Sequence, residues 1–137
     1  MTRSHPKRSH EADRLASVVV DAALHVHKTL GPGLLESVYE TVLTHELEQR
    51  GLRVERQVSV PFEFDGIHFD EGLRVDLFVE RNLVVELKSV TELDPIHTKQ
   101  LLTYLRLLGR SLGILLNFGG VTLKEGCRRV VDRHADF

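Results

Sequence analysis

The chain has 137 residues, of which 42% are hydrophobic and 28% charged, and a formal net charge of -2. This length holds one ordinary domain with a single sizeable core, and the composition excludes a disordered or membrane-embedded chain. The near-neutral balance excludes a bulk electrostatic pull on nucleic acid, so contact with it requires a local basic patch or a bound cation.

Residues 1–10 (MTRSHPKRSH) show no hydrophobic periodicity and are expected to form a mobile basic tail, leaving 11–137 as one domain. No apolar segment follows the opening charges, which speaks against a secretory signal, and no apolar run is long enough to span a bilayer. A lone cysteine, Cys127, makes neither an internal disulfide nor a thiolate zinc cluster. The expected compartment is the cytoplasm.

From Glu11 to Leu30, the residues Leu15, Val18, Val19, Ala22, Val26 and Leu30 recur at three- and four-residue spacing, as in an amphipathic helix. Gly31-Pro32-Gly33 ends it, and a second helix is expected from Leu34 to Arg50 with Leu35, Val38, Val42 and Leu47 inward. The period then changes to two. Val54, Val58, Val60, Phe62 and Phe64 mark a half-buried strand, and Asp65-Gly66 signals a hairpin returning through Ile67 and Phe69. Leu73 to Val79 continues as strand, and Leu83 to Lys88 reads as a central strand covered on both faces. Asp94-Pro95 opens a helix striped by Leu101, Leu102, Leu105 and Leu108 and closed by Gly109. Leu112 to Leu116 is a short buried strand, and Arg128 to Val131 can add an edge. The result is a single mixed α/β domain.

A few polar residues are not explained by solvent. Asp76 sits inside an apolar strand, and Glu86 and Lys88 project together from the end of another, with Leu87 packing behind them. A three-residue loop, Arg81-Asn82-Leu83, would set Asp76 opposite Lys88 and diagonal to Glu86, on one face. Two readings fit that arrangement: a cation held by the carboxylates, or a cross-strand Asp76–Lys88 ion pair. Glu36 and Tyr39 lie one turn apart on the second helix, and Gln100 and Tyr104 are i,i+4 partners on the third.

Taken together these segments resemble the GxxExxY protein family of the PD-(D/E)XK nuclease-like superfamily. The resemblance runs through GPGLLESVYE (with Gly33, Glu36 and Tyr39 filling the motif), RVDLFVE, VVELKSV, QLLTY and ILLNFG, from about Leu15 to Phe118. It implies a restriction-endonuclease-like αβββαβ core with a mixed central sheet flanked by helices. It also implies that Asp76 and Glu86 are metal ligands, Lys88 the catalytic lysine, Glu36 a helix glutamate joining the site, and Gln100 and Tyr104 a Q-x-x-x-Y pair. The residue before Asp76 is Val75, where the signature has proline.

The implied activity is phosphodiester hydrolysis. Oxygen ligands favour Mg²⁺ or Mn²⁺ over zinc, held by Asp76, Glu86 and the Leu87 carbonyl with help from Glu36. Lys88, Glu36, Gln100 and Tyr104 are the expected catalytic set, and Tyr39, Arg53 and Arg56 the expected contacts to the nucleic acid, with DNA favoured over RNA. The alternative is a catalytically silent module that keeps the fold, as a homodimer or an accessory subunit.

Overall fold

The computed structural model describes residues 5–133. Helices α1 (His5–Leu30) and α2 (Glu36–Gln49) precede strands β1 (Val54–Phe64), β2 (Ile67–Val79) and β3 (Leu83–Lys88). Helix α3 (Pro95–Leu108), strand β4 (Leu112–Asn117) and edge strand β5 (Cys127–Val131) complete the chain. The sheet runs in the order β1-β2-β3-β4-β5, and only β3 and β4 are parallel, joined by the helical crossover that parallel neighbours require. This is the expected mixed α/β architecture, a five-stranded mixed sheet between helices, consistent with a restriction-endonuclease-like core.

Two helices cover one face of the sheet and the third covers the other. Leu15, Val19, Ala22 and Val26 of α1 pack with Tyr39, Leu43 and Leu47 of α2 against Leu77, Val79, Val85, Leu87, Ile114 and Leu116. Leu101 and Leu105 of α3 pack against Phe78, Val84 and Leu115 on the opposite face. Each fully buried leucine contributes about 1.5–3 kcal/mol relative to exposure, so this two-sided core outweighs the weak helix propensity of Val18-Val19-Val20. At Gly113, an added Cβ would stand 3.0 Å from Leu101 Cδ1, so the missing side chain is what lets α3 lie close on β4.

Three expectations need correction. Helix α1 begins at His5, ahead of the expected start at Glu11, while residues 1–4 of the expected tail lie outside the described residues. On α2 the buried stripe is Tyr39, Leu43 and Leu47 with Glu40 and Thr44, whereas Leu35 is 73% and Val38 38% exposed. The core-facing side of α2 is therefore rotated from the expected one, because one aromatic ring and two leucines bury more apolar area than Leu35 and Val38 would. Finally, Val79 pairs with Leu83, so the β2–β3 loop is Glu80-Arg81-Asn82, one position earlier than expected. The left-handed residues in it are Glu80 and Arg81, not Asn82.

The β1–β2 hairpin changes face partway along its length. Val54 packs with the α1/α2-side core, but Val58 and Val60 pack with the α3-side core. On β2, Leu77 and Val79 belong to the first core and Leu73 and Val75 to the second. The switch falls at Gln57 and Asp76, where the pairing Arg56↔Leu77 gives way to Val58↔Val75 and Gln57 has a φ of 50°. The apolar residues keep to even positions of β1 (Val54, Val58, Val60) and odd positions of β2 (Leu73, Val75, Leu77, Val79) on both sides of this point, which hides the change of core.

Candidate active site

At the level where β2 and β3 stop pairing through their backbones, two acidic side chains take over the hydrogen bonds. The last backbone pair is Leu77↔Val85. Beyond it the Asp76 N–H donates to Glu86 Oε2 at 2.7 Å, and the Leu87 N–H donates to Asp76 Oδ2 at 2.8 Å. Asp76 therefore faces Glu86 directly rather than diagonally, a consequence of the earlier loop. The odd loop length still places both acids together, as the same-face condition requires.

Glu86 is 7% exposed, and the pair is costly to ionise together. Burial first, and then the charge of Asp76, pushes the Glu86 carboxyl up to about 8, against the opposing pull of the Asp76 N–H and Lys88. Burial also raises Asp76, offset in part by the hydrogen bonds from Leu87 and Gln57 and reinforced by the charges of Glu40 and Glu36. Among the described residues no ion pair includes Asp76, Glu86 or Lys88, so the cross-strand Asp76–Lys88 pair is not formed.

Lys88 lines a cleft of about 510 Å³ whose other wall is α3, with His97, Lys99, Gln100 and Tyr104 facing it. Asp94 caps α3 by accepting from the Ile96 N–H, and His97 Nδ1 accepts in return from the Asp94 N–H, fixing where the helix starts. One turn later come Gln100 and, at i+4, Tyr104. The Tyr104 phenol is raised by burial and then by the charges of Glu86 and Asp76, so it stands within their field. A larger hollow of about 760 Å³, between the end of α1 and residues 121–124, is lined by neither acid.

Glu36 opens α2, and its charge acts on both Asp76 and Glu86. The turn that delivers it is held from inside. Gly33 has a φ of 101°, open to glycine and strained for other residues. Tyr39 is fully buried, stacks on Phe118 with ring centroids 4.5 Å apart, donates its hydroxyl proton to the Gly31 carbonyl, and accepts from the Leu34 N–H. The expectation that Tyr39 contacts nucleic acid is therefore corrected: its ring and hydroxyl are spent on the core and on the 31–34 turn. Tyr39→Phe is expected to cost about 1–3 kcal/mol, because the Gly31 carbonyl and Leu34 N–H lose their partner, and a thermal melt measures it.

The two arginines expected to contact nucleic acid are both exposed, on β1 and at its start. Arg56 donates from Nε to Glu40 Oε2 at 3.0 Å and from Nη2 to Thr41 Oγ1 at 2.8 Å, so it is tied to α2. Arg53 adjoins the Val54↔Val79 pair, its N–H donating to Glu80 Oε2, at the loop end of the hairpin. Four strand positions, roughly 13 Å, separate it from Gln57 and the acids.

Two residues of the site have no counterpart in the sequence reading. Glu40, 8% exposed, accepts from Arg56 and from Gln57 Nε2 at 2.6 Å, and Gln57 Nε2 also donates to Asp76 Oδ1 at 3.3 Å. The signal for Glu40 was its i+4 spacing from Glu36 on the side that buries Tyr39; for Gln57 there was none, since it occupies an outward-reading strand position.

No group of three or more His, Cys, Asp or Glu side chains able to hold a metal is present among the described residues. The oxygen donors that are present suit a hard cation all the same. Mg²⁺ is typically held by one or two carboxylates, keeps several waters and completes its shell on substrate phosphate, without an all-protein cage. Two facing acids, one buried and one half-buried, with no ion pair to either among the described residues, are such a donor set.

A family model described as the PD-(D/E)XK nuclease superfamily matches residues 13–130. No curated protein and no solved structure gives a match. The matched span covers most of the chain and contains Glu36, Asp76, Glu86, Lys88, Gln100 and Tyr104, and the chain belongs to the PD-(D/E)XK nuclease superfamily.

Proposed function

We propose that this chain is a divalent-cation-dependent nuclease that hydrolyses phosphodiester bonds, with DNA ahead of RNA as substrate. Gly33, Glu36 and Tyr39, which fill the GxxExxY motif, support reading it as a member of that branch. The observation that carries the reading is the facing pair of acids, Glu86 buried and Asp76 half-buried, each hydrogen-bonded to the other's strand, with Lys88 two residues on in a cleft walled by Gln100 and Tyr104.

Bound Mg²⁺ or Mn²⁺ supplies a Lewis acid that activates water and offsets phosphate charge. Asp76, Glu86 and the Leu87 carbonyl would hold it, and Glu36 would support them from the start of α2. Lys88 places a positive charge in the cleft where it orients the attacking water and stabilises the charge that grows on the phosphate oxygens. Gln100 and Tyr104, one turn apart on the wall of α3, would donate hydrogen bonds to the phosphate.

The purified chain, given Mg²⁺ or Mn²⁺, is expected to cleave end-labelled DNA or RNA and to lose that activity with a chelator. A folded protein that leaves single-stranded and duplex DNA and RNA intact in both ions contradicts the proposal.

A further inference from the structure

Within the strands, Gln57 is the only non-glycine residue with a positive φ among the described residues, at 50°. Ordinary residues avoid that conformation, and where it occurs the surroundings fix it. Here it lies at the level where both hairpin strands change core, beside Asp76 on the neighbouring strand. Its effect is to bring the carboxamide between two carboxylates. The amide nitrogen has two protons, and it reaches Glu40 Oε1 at 2.6 Å and Asp76 Oδ1 at 3.3 Å.

The consequence for Asp76 is geometric. Oδ2 is held by the Leu87 N–H, and a carboxylate held by one oxygen still pivots about that bond. The second bond, from Gln57 to Oδ1, sets the plane of the group. Glu40 in turn is held back by Arg56 on its other oxygen, at 3.0 Å, so the amide is anchored at its far side.

We propose that Gln57 is a positioning residue for the cation site: its carboxamide, anchored on Glu40, fixes the aim of Asp76 without touching the cation itself. This rests on the nuclease reading above. Removing a partner that orients a metal-binding side chain commonly lowers metal affinity by about 10–100-fold.

Two variants separate the side chain from the backbone. Gln57→Gly removes the amide and relieves the positive φ, whereas Gln57→Ala removes the amide and keeps the strain. Titrating Mn²⁺ calorimetrically into the folded parent and both variants is expected to show a similar loss in both, about 10-fold or more. Thermal melts are expected to place the glycine variant no lower than the alanine variant. A purely structural role for Gln57 predicts the opposite division, with Gln57→Gly binding Mn²⁺ as tightly as the parent, and that result overturns the proposal. If the parent itself takes up no Mn²⁺, the nuclease reading fails and this inference fails with it. Parent uptake that is unchanged in both variants removes the inference alone.

Discussion

Glu86→Gln is expected to raise the melting temperature at pH 8 and to flatten its dependence on pH. The Glu86 carboxyl is pushed from 4.5 to about 8, by burial first and by the Asp76 charge second. Its folded value lies above its unfolded one, so the folded state holds a proton that the unfolded chain has already lost. That stabilising contribution is fully present below about pH 4.5 and is lost as pH rises through about 8. At pH 8 the ionised form burdens the fold by an amount on the order of 2–4 kcal/mol. Glutamine has the same shape and still accepts from the Asp76 N–H, but carries no charge. For a domain of this size the gain corresponds to roughly 10 °C, measured by thermal melts at pH 5 and pH 8. A variant that melts lower than the parent at pH 8 contradicts the burial and repulsion assigned to Glu86. Greater stability together with lost cation binding is the pattern expected where a site is held in an unfavourable charge state for function.

Lys88→Ala is expected to lower cleavage sharply and Asp76→Asn to abolish it, by different routes. Lys88 forms no ion pair among the described residues and faces the cleft, so its loss removes charge stabilisation from the reaction while leaving the acids in place. Cleavage at saturating Mn²⁺ is expected to fall about 10²–10³-fold, the scale for removing one group that stabilises developing charge, with Mn²⁺ affinity little changed. Asp76→Asn removes one carboxylate of the facing pair, and both cation uptake and cleavage are expected to disappear. It also relieves Glu86 of its neighbouring charge, so the Glu86 carboxyl should titrate below its value in the parent. Single-turnover cleavage beside Mn²⁺ titration tells these routes apart. Activity equal to the parent in both variants means that another protein in the preparation is responsible.

The order of elements was legible because hydrophobic period and punctuation agree through most of the chain. Asp94-Pro95 and Gly109 bound α3 as expected, with Gly109 in the left-handed conformation at a φ of 70°. Asp65-Gly66 turns the hairpin with both residues at positive φ. The buried face of α2 is not legible in the sequence because Leu35 and Val38 look like core residues in isolation. Which side of a helix is buried depends on what it meets, and here Phe118 of the β4 end receives Tyr39.

The acids and Lys88 stood out in the sequence because charged residues inside apolar strands need partners. Their direct opposition did not, since it depends on a loop whose left-handed residues are Glu80 and Arg81, neither favoured there by type. Gln57 was invisible for the same reason. Glutamine has no special preference for positive φ, and the apolar residues of β1 keep to even positions on both sides of it. Arg56 reads as a free charge in the sequence, and its pairing with Glu40 shows only in the folded chain.

The decisive measurement is calorimetric titration of Mn²⁺ into the parent at pH 7.5, in two buffers of different ionisation enthalpy. A carboxyl pushed to about 8 is still largely protonated there and must lose its proton to bind a cation. The parent should take up Mn²⁺ with release of up to roughly one proton, and Asp76→Asn should not take it up. No uptake by the folded parent, or equal uptake by Asp76→Asn, would contradict a cation site built on Asp76 and Glu86.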